Sequence, residues 1–315
     1  MSDAPHALIV GCGYVGTRLA RRLAGLYDVT VTTRSAERVQ ALRSAGIRAY
    51  ALDLDRVRLG TYLPEKLEQA AIFYLAPPPA AGESDLRLDR FLQLVTVPPR
   101  AFIYISTTGV YGNTDGESVD ESSPIQPMTD RARRRVSAEE MTRVWCTERR
   151  TRRVVLRVPG IYGPGRLPTE RLRKAEPVVH PNEAGISNRI HVDDLVEACV
   201  QAATNPEARG VYNITDGNAC SATEFLDLLA AVTGLPPCPR VSMDEAQLTF
   251  SQERLSFLNE SRRVSNERML KHLGVKLRYA DMEEGIRKSL EEQAVGCRLK
   301  VRKGTPRLSM FWPRA

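Results

Sequence analysis

The sequence predicts an α/β fold, a doubly wound parallel sheet with a smaller C-terminal α/β lobe. Three observations carry that expectation. Short apolar or β-branched runs alternate with segments of helical period through the first half of the chain, the pattern of βαβ units with helices on both sheet faces. The first run ends in a glycine-rich turn, Gly11-Cys12-Gly13-Tyr14-Val15-Gly16, that opens the first helix. The second half of the chain is less regular and opens with a Gly- and Pro-rich stretch over 159–188, as a separate lobe would. The expected division is a nucleotide-binding core over 1–158, an interleaved lobe completing it over 159–293, and a basic tail over 294–315.

Each element follows from local pattern. Residues 7–10 are an apolar run and the first strand. Val15, Leu19, Leu23 and Leu26 then recur at helical spacing, broken near Gly25. Residues 28–33 (DVTVTT) alternate and are β-branched, so they read as the second strand. Ser35 is placed to cap a helix through Val39 and Leu42 that stops near Gly46. Residues 47–50 form a third strand, and 71–76 (AIFYLA) a fourth, stopped by Pro77, Pro78 and Pro79. A helix over 85–97, a strand over 101–106, a helix over 131–149 and a strand over 153–158 continue the alternation. Residues 159–188 are expected to be loop with short elements, 192–203 helix and 211–214 strand. A helix over 221–233 begins with the capping box Ser221-Ala222-Thr223-Glu224. Residues 266–273 and 281–293 are the remaining helices.

Composition narrows the class. At 315 residues and 42% hydrophobic, the chain can bury a large core and is too apolar for wholesale disorder. No run approaches the ~18 apolar residues of a membrane helix, and the N-terminus has no basic n-region. Neither a membrane partner nor a secretory leader is expected. The six cysteines (Cys12, Cys146, Cys199, Cys220, Cys238, Cys297) form no CxxC pair, so they read as reduced thiols of a cytoplasmic protein, with no metal site. The net charge is +7, but residues 295–315 hold six basic residues and no acid, leaving 39 basic against 38 acidic elsewhere. The basicity belongs to the tail, and no specific nucleic-acid partner is expected.

The glycine turn carries the first chemistry. Gly11 allows the tight bend, Gly13 lets the backbone approach a pyrophosphate, and Gly16 lets the helix pack on the strand. Tyr14 and Val15 open a helix whose N-terminus offers N–H groups and a positive dipole end to an anion. At the end of the second strand an acid would bond a ribose 2′-hydroxyl, whereas an arginine accommodates a 2′-phosphate. This chain has Thr32-Thr33-Arg34-Ser35 there. Arg34 offers a charge-assisted fork and Ser35 a donor, so NADP is expected over NAD.

Taken together, the motifs resemble the extended epimerase/dehydratase branch of the short-chain dehydrogenase/reductase superfamily. The resemblance covers most of residues 7–293. It lies in GCGYVG at 11–16, ALDLD at 51–55, FYLAPP at 73–78, YISTTGVYG at 104–112, LRVPGIYGPGR at 156–166 and RIHVDDL at 189–195. It implies a Rossmann-like core, an NAD(P) cofactor, and oxidoreductase or epimerase chemistry on a small or sugar-nucleotide-like substrate. It further implies that Asp53 and Leu54 lie beside the adenine, and that Leu75, Ala76 and Pro77 line the cofactor. Thr107 takes the place of the family's catalytic Ser/Thr. Pro159 to Ile161 border the nicotinamide, and the 188–194 stretch supports the substrate lobe.

One departure bears on activity. The family's Tyr-x-x-x-Lys precedes an alanine-glutamate pair, and counting back from Ala138-Glu139 puts Arg131 at the tyrosine and Arg135 at the lysine. One helical turn separates them, so they share a face. Arg131 cannot give or take the proton that tyrosine would, because guanidinium stays protonated in proteins. Arg135 can still hold the ribose. Tyr111 and Tyr162 stand in loops expected at the carboxyl edge of the sheet, where either is a candidate replacement acid or a packing residue. The Arg131–Arg135 cluster is either a solvated helix face or suited to an anionic substrate. His191 beside Asp193 and Asp194 reads as a cap and packing element. Two functional readings follow: an atypical NADP-dependent oxidoreductase or epimerase, or a non-enzymatic NADP(H) sensor or scaffold. Both leave room for a homodimer.

Overall fold

The computed structural model describes residues 4–57, 61–63 and 67–302, with side chains described as far as residue 295. The expected basic tail therefore lies almost wholly outside the described side chains. Seven strands build one sheet: β1 (His6–Val10), β2 (Asp28–Thr33), β3 (Arg48–Ala51), β4 (Ala71–Tyr74), β5 (Ala101–Thr107), β6 (Arg152–Val158) and β7 (Gly210–Asn213). Every pairing is parallel, and the order is β7-β6-β5-β4-β1-β2-β3. The order reverses between β1 and β4. Ligands of open α/β sheets bind past the carboxyl ends of the strands at such a switch point.

Strand alternation assigns the side chains to two cores. Ala7, Ile9, Phe73, Ile103 and Leu156 face α1 (Tyr14–Leu23), α2 (Ala36–Ser44) and α5 (Val192–Thr204). Leu8, Val10, Tyr74, Phe102 and Tyr104 face α3 (Leu86–Leu94) and α4 (Asp130–Glu148). Both faces of β1 are sealed, which is why it reads as a continuous apolar run. Leu8 and Ile9 are both fully buried. β7, from the second half of the chain, closes the sheet beside β6.

The lobe has its own core of Tyr162, Leu172, Phe225, Leu226, Leu229 and Ile286. It is built on α6 (Ala222–Thr233), which carries the expected capping box, and on the long C-terminal helix. The segment expected to be loop with short elements at 159–188 holds three short strands, Gly160–Tyr162, Val178–Val179 and Ile186–Ser187, and the five-residue helix Thr169–Arg173. Two helices were not expected, α7 (Met243–Thr249) and α8 (Gln252–Leu258). They are short, and each buries one residue, Ala246 and Leu255, so neither has the apolar stripe that announces a helix. The helix expected over 266–273 is only the single turn Met269–Leu273. The last helix, α9 (Met282–Arg302), runs well past residue 293.

Candidate active site at the carboxyl edge of the sheet

The three glycines of the turn have three different surroundings. Gly11 has φ +88°, and a Cβ there would stand 2.6 Å from the Ala76 nitrogen. The turn is thus pressed against the end of β4. A Cβ on Gly16 would lie 3.3 Å from the Gly11 carbonyl and from Ile9 Cγ2, so the glycine sets the helix–strand distance. A Cβ on Gly13 would meet nothing within 4 Å. That glycine faces open space, as a position of close approach to a ligand should. The amides of Gly11, Cys12 and Gly13 are already bonded, the first two to the Thr32 carbonyl at 3.1 and 2.8 Å. The Tyr14 and Val15 amides of the first turn remain for an anion. Among the described helices of nine residues or more, α1 alone has neither a side-chain cap nor an acid in its first turn. These residues fit a dinucleotide phosphate. Tyr14 itself donates to the Pro164 carbonyl at 3.0 Å and lies between Arg18 and Arg166, 4.1 and 4.2 Å from its ring. Burial pushes its phenol up.

Beyond β2, Arg34 is two-thirds exposed, with Asp55 3.8 Å away. Asp55 is held by Arg87 through two bonds of 2.6 and 2.7 Å. That pairing, ahead of a small opposing desolvation, keeps its carboxyl below the usual range. Sequence reasoning placed no acid near Arg34. The ALDLD stretch brings one across from the end of β3, already neutralised by Arg87. Ser35 Oγ caps α2 by accepting from the Arg38 amide at 3.2 Å, and its hydrogen stays available to donate. Asp53 accepts from the Asp55 amide at 3.0 Å, Leu54 is buried, and the Leu75 amide bonds the Val10 carbonyl at 2.8 Å. Leu75, Ala76 and Pro77 therefore run directly past the glycine turn.

A cleft of about 430 Å³ opens past the carboxyl ends of β5 and β6, with Thr107, Thr108, Gly109, Arg131, Pro159 and Gly160 in its wall. Thr107 Oγ1 accepts from the Gly109 amide at 3.1 Å, which fixes its rotamer and leaves its proton to donate. Arg131 shares the cavity with Thr107, as the residue count placed it. Its Nη1 donates to Ser256 at 3.0 Å, and its guanidinium stacks on Phe257 at 3.7 Å. Arg135 turns back to the sheet, donating to the Tyr104 hydroxyl at 3.1 Å and the Ile105 carbonyl at 2.9 Å. The remaining wall brings Arg189, from the 188–194 stretch expected to support the substrate lobe, and Arg171, Arg254, Arg262 and Glu260, which sequence reasoning had not singled out.

Tyr111 and Tyr162 do not reach this cleft. Tyr111 is 1% exposed, and its hydroxyl donates to Asn213 at 2.8 Å while accepting from Arg157 at 2.9 Å. Arg157 in turn grips Glu139 through bonds of 2.8 and 3.1 Å, and Ser106 donates to the same carboxylate at 2.5 Å. This network ties β5, α4, β6 and β7 together immediately behind Thr107 and Pro159. The tyrosine is a strut in it, with its phenol pushed up by burial. Tyr162 packs edge-on to His191 and Phe225 in the lobe core, and burial pushes its phenol far up. The assignment of either as the cleft's acid is corrected on geometry. Cys12 Sγ, tucked beside Thr17 at 3.7 Å, is likewise a small buried filler whose pKa is raised by burial.

His191 is a cap, as expected. Its Nδ1 accepts from the Asp193 amide at 3.2 Å, so Nε2 carries the proton and faces Ser289 at 3.1 Å. Burial, with help from Arg18 and Arg278, pushes its pKa down to about 4. A group held neutral in this way contributes stability that is present above pH 6.5 and is lost as pH falls toward 4, about 3 kcal/mol at most. Asp216, pushed up to about 7 by burial, works in the opposite sense, its contribution being lost as pH rises through 7. The stability gap between wild type and His191→Gln isolates the imidazole. Urea titrations should show that gap shrinking between pH 7 and 4.5. A constant gap would refute the buried neutral assignment.

The profile of the NAD dependent epimerase/dehydratase family matches residues 7–215. Protein YeeZ of Escherichia coli (strain K12) is 27% identical over 284 residues, 87% of this chain and 96% of its own length. A functionally unknown conserved protein from Silicibacter pomeroyi DSS superposes with a TM-score of 0.78 at 29% identity, covering 92% of this chain and 99% of its own. UDP-glucuronic acid 4-epimerase from Bacillus cereus, in complex with UDP-glucuronic acid and NAD, superposes with a TM-score of 0.72 at 18% identity, covering 91% and 99%. At that identity the likeness concerns the fold.

Proposed function

Because the chain belongs to the NAD dependent epimerase/dehydratase family, we propose that it binds NADP(H) at the glycine turn and acts as an oxidoreductase or epimerase on a small, sugar-nucleotide-like anion in the adjoining cleft. The observations that carry the reading are an uncapped α1 at the switch point of the sheet and a cleft at the carboxyl ends of β5 and β6 that holds Thr107 and Pro159. Tyr14 and Val15 amides would hold the phosphates, with Gly11, Gly13 and Gly16 making room. Arg34 and Ser35 would take the 2′-phosphate, Asp53 and Leu54 would border the adenine, and Leu75, Ala76, Pro77 and Pro159 would wall the cofactor. A bound nicotinamide supplies the hydride chemistry. Thr107 would orient the substrate oxygen, and Arg135 would set the end of β5 and the ribose beside it. The bound sugar nucleotide of the Bacillus cereus neighbour and the arginines of this cleft both support an anionic small molecule. A cytoplasmic homodimer belongs to the same reading.

Calorimetry with both cofactors tests the cofactor assignment. NADP(H) should bind more tightly than NAD(H). Arg34→Ala should weaken NADP(H) by about 1.5–3 kcal/mol, the scale of a hydrogen bond to a charged group, with NAD(H) nearly unchanged. Equal affinities would remove Arg34 from the site. A second reading, a non-enzymatic NADP(H) sensor, is favoured by one observation. Among the described residues, the cleft lining contains no Tyr, Lys, His or Cys, and the one carboxylate in it, Glu260, is paired with Arg262 at 2.7 Å. A panel of alcohols, ketones and sugar nucleotides that gave no nicotinamide absorbance change, despite bound NADP(H), would move the assignment to the sensor.

A further inference from the structure

The arginines around the cleft are not equally matched by acids. Arg262 is paired with Glu260, and Arg171 with Glu176 at 3.2 Å. Among the described residues, Arg131, Arg189 and Arg254 have no carboxylate within 4 Å. Arg131 uses one donor on Ser256. Arg189 Nη1 reaches the Cys220 carbonyl at 3.2 Å and thiol at 3.3 Å. Arg254 Nη2 donates to the Pro177 carbonyl. A guanidinium carries five N–H donors, so most of theirs are unspent. Each is also fixed in orientation by a ring beneath it: Phe257 at 3.7 Å, Phe225 at 4.3 Å and Phe250 at 3.4 Å respectively. Burial pushes the pKa of all three down. Acids lie in the neighbourhood of each, Glu260 and Glu253 for Arg131, Asp216 and Glu224 for Arg189 and Glu176 for Arg254, but none forms an ion pair with it, so partly desolvated, ring-stacked cations with spare donors are left for an anion to complete.

We propose that Arg131, Arg189 and Arg254 together form an anion pocket that grips a phosphate or carboxylate at the reacting end of the substrate, beside Thr107. The inference rests on the proposed reading of this cleft as the substrate site, and it assigns Arg131 a specificity role in place of proton transfer. It also gives α8 a function. Arg254 lies on α8, and Arg131 on α4 reaches the same helix through Ser256 and Phe257. An anion shared by the two would hold α8 across the cleft, although that helix buries only Leu255 of its own.

The test is calorimetry on the full chain saturated with NADPH, so that a probe cannot occupy the glycine turn, at constant ionic strength. Pyrophosphate and malonate are the probes. One of them should bind, and which one binds more tightly tells phosphate from carboxylate. Arg131→Met and Arg254→Met should each weaken that probe at least about tenfold, the effect of losing a hydrogen bond to a charged group. Arg131→Lys should retain part of the affinity. Arg133→Met, an exposed residue of the same helix paired with Asp130, should change nothing. Wild type that binds neither probe, or binding that Arg131→Met leaves intact, overturns the pocket. Arg131→Lys keeps the test valid if a methionine variant unfolds. The NADPH titration run alongside reports separately on the functional reading. Its failure would sink the cofactor site, while probe binding that is sensitive to Arg131 would still stand.

Discussion

Arg157→Met is expected to lower stability by about 3–5 kcal/mol, because it leaves Glu139 as an uncompensated buried carboxylate. Arg157 and Glu139 are 4% and 9% exposed and share two hydrogen bonds, with Ser106 and Tyr111 completing the polar shell. Breaking one side should therefore cost more than the pair contributes. The double variant Arg157→Met, Glu139→Met removes the orphaned charge and should recover much of the loss, since a buried ion pair is often replaceable by apolar side chains of similar volume. Chemical denaturation of both single variants and the double closes the cycle. Additive losses would mean that the two charges are not coupled as their geometry requires. The same variants should loosen the wall behind Thr107, because Thr107 follows Ser106, a member of the network, and Pro159 lies two residues past Arg157.

This network also marks where the sequence stopped being readable. β2 was placed correctly at 28–33 because its β-branched alternation is local, and the glycine turn because each glycine answers a local steric demand. Thr107 and Arg131 were found by counting along motifs, and the fold does bring both to one cavity. Arg157 follows the apolar run Val154-Val155-Leu156 in its strand, RRVVLRV, and Glu139 stands on the buried side of a helix. A charge in an apolar run is a legible signal of a buried partner, but its identity depends on β6 packing beneath α4. For the same reason the sequence left Tyr111 open between acid and packing residue: its loop lies at the carboxyl edge, while its hydroxyl points into that network. The lobe arginines were invisible as a cluster because Arg189, Arg254 and Arg262 lie up to 73 residues apart in the chain and meet only through tertiary structure. Helices α7 and α8 escaped because they bury too little to imprint a period.

Turnover, if a substrate is found, is expected to fall about 10²–10⁴-fold short of a site with a positioned acid, which is what general acid–base catalysis typically supplies. Hydride removal from an alcohol carbon must be matched by loss of the hydroxyl proton, and the cleft offers little to take it. Thr107 can pass a hydrogen bond but is not a base at neutral pH, Arg131 holds its protons, and Glu260 is tied to Arg262. The double change Arg131→Tyr with Arg135→Lys puts a titratable phenol beside a cation one turn away, an arrangement that favours the phenolate. It should raise kcat. Because Arg131 is also assigned to the substrate's anion, the same change should raise KM, so the two constants should move together. The pH profile of kcat should gain a limb from the new phenol. Wild-type turnover unaffected by either change would mean that the proton leaves by another route. A variant that lowered kcat instead would show that Arg131 stabilises the reacting oxygen directly.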